Sequence, residues 1–124
     1  MHTFARRVFL IAGIYGLIVL FPQYFVADQI GRSSPPALTH VEFFYGFVGI
    51  ALAWQICFLL IARDPVRMRA IMIPAILEKL AWGIPVAILS AQRRLAGAVV
   101  AFGAIDLLLG VLFAIAYVRT PAQE

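Results

Sequence analysis

Cysteine, histidine and charge are all scarce in this 124-residue chain, and each shortage removes a class of chemistry. Cys57 is the single cysteine and falls inside an apolar run, so no intrachain disulfide can form and the residue reads as buried filler. The two histidines, His2 and His40, are separated by one long apolar run, which excludes a haem held between them. No set of residues has the spacing of a zinc site. No metal or cofactor is therefore expected. The chain also lacks a glycine-rich phosphate loop, a nucleophile elbow and a dinucleotide fingerprint. It has no arginine ladder of the kind a voltage sensor carries, no low-complexity tract and no internal repeat.

Charged residues make up 13% of the chain and hydrophobic residues 64%, against about 25% and about 45–50% in soluble domains. The formal charge is +4, but the basic residues are scattered over short connections instead of forming one patch. Nucleic acid is thereby excluded as a partner, and the excess is of the kind that orients membrane helices.

What the chain has in abundance is long apolar runs. Four predicted spans cover residues 8–27, 41–62, 70–90 and 95–118, each long enough to cross a hydrocarbon layer of about 30 Å. The runs are continuously apolar without dyad alternation, so helices and not barrel strands are expected. The fold class is all-α: a single domain, residues 1–124, forming a polytopic antiparallel four-transmembrane-helix bundle whose first partner is the lipid bilayer. Arg6 and Arg7 ahead of the first run resemble a signal peptide, but the run is too long, and Phe25-Val26-Ala27 is too bulky for a cleavage site. The first span is expected to stay attached.

Short connections punctuate the spans: Gly31-Arg32-Ser33-Ser34-Pro35-Pro36, Arg63-Asp64-Pro65 and Ala91-Gln92-Arg93-Arg94. Consecutive helices should accordingly be antiparallel neighbours. Arg6, Arg7, Arg63, Arg67, Arg69 and Arg119 fall on one side, and Arg32, Arg93 and Arg94 on the other, which places both termini in the cytoplasm. Gly46, Gly49 and Ala53 on the second span, and Gly103 and Gly110 on the fourth, read as sites of close helix approach. Pro22, Pro74 and Pro85 should bend their helices.

Inside this apolar sequence stand Gln55, Glu78, Lys79 and Asp106, on three different spans. At about 1.5 Å rise per residue they lie roughly 10 to 18 Å from the cytoplasmic ends of their helices, close enough in depth to meet. Ionisable groups at that depth cost several kcal/mol unless paired or hydrated, and by default they mark a functional site. Two carboxyls and one ammonium, all ionised, would leave one negative charge unmatched, so one carboxyl is expected to stay protonated or shared. Trp82 stands one helical turn beyond Glu78, where its N–H can meet the carboxylate, and Trp54 precedes Gln55. Near the opposite surface Asp28 closes the first helix, and His40 and Glu42 open the second. Glu42 shares the face of Gly46 and Gly49 and is expected to point inward. As an acid–base pair, His40 and Glu42 are the candidate catalytic residues.

The arginines before the first span, Trp54-Gln55, Arg63-Asp64-Pro65, Glu78-Lys79 and Asp106 on a four-span chain together resemble small bacterial four-helix membrane proteins of the DoxX-like kind. The resemblance covers the whole chain, is architectural, and implies a bacterial inner membrane. Small multidrug-resistance transporters share the size but carry a glutamate in the first helix, where this chain has none. Sterol-isomerase and sigma-2-type proteins of the EXPERA group enclose an acidic pocket, and none of their pocket residues transfers to this sequence. The leading expectation is a pocket built from Gln55, Glu78, Lys79, Asp106, Trp54 and Trp82 that binds a lipophilic or cationic small molecule or relays protons, in a homo-oligomer or larger membrane complex. The alternatives are a structural accessory subunit and a membrane enzyme acting on a lipid or isoprenoid.

Overall fold

The computed structural model describes residues 2–33, 35–95 and 97–122; Ser34 of the first connection and Ala96 of the fourth predicted span lie outside them. Helix α1 spans Thr3–Leu20 and tightens into a 3-10 turn over Phe21–Phe25. A short helix α2 (Ala27–Ser33) follows, then α3 (Val41–Arg63), a 3-10 turn at Arg69–Ile71 that leads into α4 (Met72–Ala91), and α5 (Gly97–Arg119). No strand occurs among the described residues. Four helical segments of 23 residues each are long and apolar enough to cross a bilayer, at about 34 Å apiece. The chain is a multi-pass membrane protein. Its outward faces carry exposed Ile11, Ile18, Phe43, Ile50 and Val118, which suit contact with lipid tails and would be costly in water.

Pro22 explains where α1 stops. It has no N–H to donate and its ring crowds the carbonyl four residues earlier, so the chain changes to 3-10 geometry instead of merely bending. The first predicted span thus starts earlier and ends its α-helix earlier than expected. Asp28 does not close this helix; it lies in the first turn of α2, where its charge favours the helix N-terminus. Gly31 and its neighbours are helical as well. A side chain at Gly31 would press on the backbone of Ala37, so the glycine lets the return strand of the connection fold back over α2.

Helices α1 and α3 pack along their lengths, as do α4 and α5, while α1 against α5 joins the two pairs. The circuit is therefore α3, α1, α5, α4. Helices α3 and α4 are consecutive among the long helices yet barely touch, which corrects the expectation that each connection joins close neighbours. Packing along α4 and α5 is reciprocal. A Cβ at Gly83 would strike Leu107, one at Gly103 would strike Val86, and Gly110 faces the Cβ of Lys79. On α1 the equivalent positions are Gly13, against Leu59, and Gly16, against Gln55. The expected face of Gly46, Gly49 and Ala53 does not pack this way. Gly46 and Ala53 are exposed, Gly46 has open space beside it, and Gly49 admits only the Tyr24 hydroxyl. Small residues favour close approach only where a second helix is present to use them.

The core is concentrated in one half of the molecule. Phe9, Phe58 and Phe113 are fully buried there together with Ile61, Met72 and Ala75. Phe9 and Phe113 stack at 4.2 Å between ring centroids, and Phe58 meets Phe113 edge-on at 4.9 Å, geometries that ring quadrupoles favour. Beyond this cluster, arginines close the same end. Arg6 Nη1 donates to the Arg63 carbonyl at the end of α3, and Arg69 Nε donates to the Tyr117 and Thr120 carbonyls at the end of α5. These are the carbonyls that a helix C-terminus leaves unpaired, and a cation suits that end of the dipole. Arg69 also lies over the Tyr117 ring, and Arg119 over Phe4. Cys57 is half-buried, with a free thiol.

Candidate functional site

The helices diverge on the other side of the phenylalanine cluster and line a partly open cavity of about 410 Å³. Its polar floor comes from three helices: Gln55 on α3, Glu78 and Lys79 on α4, and Asp106 on α5. Sequence reasoning placed these four residues at one depth, and the structure brings them together. Its apolar walls include Phe44, Phe47, Trp82 and Phe102.

Lys79 is the hub, although a lysine is among the residues least often buried. It is only 3% exposed. Its Nζ lies 3.5 Å from Asp106 Oδ1 on the facing helix and 3.6 Å from Glu78 Oε2 on its own, and it sits 5.1 Å above the Phe58 ring. The helical offset between Glu78 and Lys79 does not keep them apart, because the long lysine stem swings back between the two acids. One ammonium thus serves two carboxyl groups.

One buried oxygen, Gln55 Oε1, has no donor, and Glu78 Oε2, also buried, has only Lys79 Nζ at 3.6 Å, shared with Asp106. Gln55 is 2% exposed, its amide seated against the bare backbone of Gly16. Its Nε2 donates to the Ala51 carbonyl at 2.8 Å. Exchanging the amide N and O would set two acceptors against each other, so the carbonyl of Ala51 fixes which end is free. A buried acceptor left unpaired costs about 1–3 kcal/mol.

The remaining expected residues separate from this group. Trp82 lines the cavity, but its indole does not satisfy Glu78 Oε2; the ring stacks on Phe47 across the α3–α4 seam, at 6.4 Å and 27°. Trp54 packs beside Phe58 and lines an outward groove, not the cavity. His40 Nδ1 and Glu42 Oε1 do lie 3.7 Å apart, but their side chains are 73% and 66% exposed, so Glu42 points out of the bundle and neither residue lines the cavity. Its face of α3 has no helix packed on it, which removes the reason to turn a carboxylate inward. Tyr15 and Gly16 of α1 line the cavity and escaped sequence reasoning. Their signal was the small-residue spacing of Ala12, Gly13 and Gly16, the buried stripe of α1. Among the described residues no cluster of His, Cys, Asp and Glu could hold a metal ion. Comparison with protein-family models, curated proteins and solved structures gave no match.

Proposed function

We propose that this protein binds a small cationic molecule with an apolar body in a pocket within the membrane. The observation that carries the reading is the single ammonium of Lys79 shared by two carboxyl groups, Glu78 and Asp106, on the floor of an aromatic-walled cavity. An ammonium head would give the second carboxyl group a cation of its own, and the aromatic walls favour cations as well as apolar groups. Binding is preferred over proton relay because Phe9, Phe58 and Phe113 pack solidly between the cavity and the arginine-rich end. A continuous path would have to cross that cluster. Binding is preferred over catalysis because the acid–base candidates His40 and Glu42 stand outside the cavity. The proposal includes the DoxX-like architecture, a bacterial inner membrane and cytoplasmic termini. Support for that orientation is the arginine cluster at the end shared by the start of α1, the α3–α4 connection and the end of α5.

The test compares phenylbutylammonium with phenylbutanol, which match in apolar body and differ in the head. Calorimetric titration into protein in lipid nanodiscs, with empty nanodiscs subtracted, should give at least about ten-fold tighter binding for the ammonium. That factor corresponds to one charge-assisted hydrogen bond of about 1.5–3 kcal/mol. Equal affinities would remove the reading.

A further inference from the structure

We propose that the pocket is loaded sideways from the lipid phase, through the seam between α3 and α4, with the Phe47–Trp82 pair as its gate. The ligand class is then a membrane-partitioned alkyl or aryl ammonium, not a water-borne cation. The inference rests on the pocket reading above and adds a route and a solubility class to it.

Four observations converge on the seam. Helices α3 and α4 complete the circuit of the bundle yet barely touch, whereas α1 packs along α3 and α4 along α5, and α1 meets α5 over a shorter stretch. An outward groove runs along this seam from Trp54 and Pro74 to Phe47 and Trp82. Phe47, Ala51, Glu78 and Trp82 line both this groove and the inner cavity, so the partition between lipid and pocket is one side chain thick. Across it the Phe47 and Trp82 rings stack between the two helices, and neither is locked by a hydrogen bond to the acids behind.

The chemistry of the partition favours this direction of entry. Apart from Glu78 the groove is apolar, with exposed Ile50 and Leu77 on its lips, and an apolar body dissolved in lipid pays no dehydration cost to lie in it. Rotation of two aromatic side chains moves no backbone, and exposed rotamer changes occur in picoseconds to nanoseconds, slower when rings are packed. Glu78 then meets the ammonium at the threshold, before Gln55 does. A carboxylate that faces both compartments shortens the stretch over which the charge travels without a partner.

A reversible lock tests the route. In a Cys57→Ser background, Phe47→Cys and Trp82→Cys are joined by a short bis-thiosulfonate, which forms reducible disulfides across the seam. With a tryptophan placed on the cavity wall by Phe44→Trp, and Trp54→Phe removing the groove signal, stopped-flow mixing of proteoliposomes with decylammonium, followed by tryptophan fluorescence, should show loading slowed at least about ten-fold by the lock and restored by dithiothreitol. The same molecules are compared before and after reduction, so a folding defect cannot produce that recovery. As a second variant, Phe47→Ala should load faster than wild type. If the locked and reduced forms load at the same rate while ammonium still binds in preference to the alcohol, the lateral route is wrong and the pocket stands. If unlocked protein shows no preference for ammonium, both are wrong.

Discussion

Replacing Lys79 by methionine should destabilise the protein by about 3–5 kcal/mol, the usual cost of removing one partner from a buried ion pair. Methionine preserves the volume and flexibility of the lysine stem, so the loss is electrostatic and not a packing defect. Glu78 and Asp106 would then face each other with no cation between them, and the α4–α5 link at 3.5 Å would be gone. Unfolding by denaturant in mixed micelles measures the loss. The double variant Lys79→Met with Asp106→Leu should recover a large part of it, because the facing charge leaves with its partner. Stability of Lys79→Met within about 1 kcal/mol of wild type would mean that the triad does not hold α4 to α5.

Phe113→Ala should be comparably damaging, and for a different reason. Phe113 is fully buried and packs its ring against both Phe9 and Phe58, so truncation costs about 3–5 kcal/mol through the void it leaves. The void would also lie between the polar floor and the arginine-rich end. Proteoliposomes loaded with a pH-sensitive dye should therefore leak protons through Phe113→Ala and stay tight with wild type. A leak of equal size in wild type would restore the relay reading in place of a closed pocket.

The spans were legible because hydrocarbon imposes a length and a composition on each of them, and α3 and α5 begin and end within two residues of the predicted limits. The polar set was legible for the same reason: Gln55, Glu78, Lys79 and Asp106 have no inexpensive place in an apolar helix except together. Which face each helix presents was not. Continuously apolar helices give almost no directional signal, so the glycines of α3 looked equivalent to those of α5 until Val86 and Lys79 were seen against one set and open space beside the other. Glu42 was misread by the same rule, since it was oriented from those glycines. The short helix α2 was hidden by Gly31, a residue read as a loop signal that in fact serves the contact with Ala37. Trp54 and Trp82 show the limit of depth alone. Both fall near the acids along the chain, yet only Trp82 reaches the cavity, because Trp54 turns toward the seam that α3 and α4 leave open.

That open seam ties the fold to the proposed chemistry. A tightly closed circuit would have buried the triad for good, as a register lock between α4 and α5. Here one carboxylate of the triad also borders the lipid side, and the amide opposite keeps an oxygen free.

The decisive measurement is the ratio of phenylbutylammonium to phenylbutanol affinity in Glu78→Gln compared with wild type, each titrated in nanodiscs with folding confirmed by circular dichroism. The glutamine keeps the shape of the side chain and removes its charge, so the ratio should fall about ten-fold or more, toward unity, while the alcohol binds as before. A ratio left unchanged by the substitution would show that the carboxylate on α4 plays no part in receiving the cation.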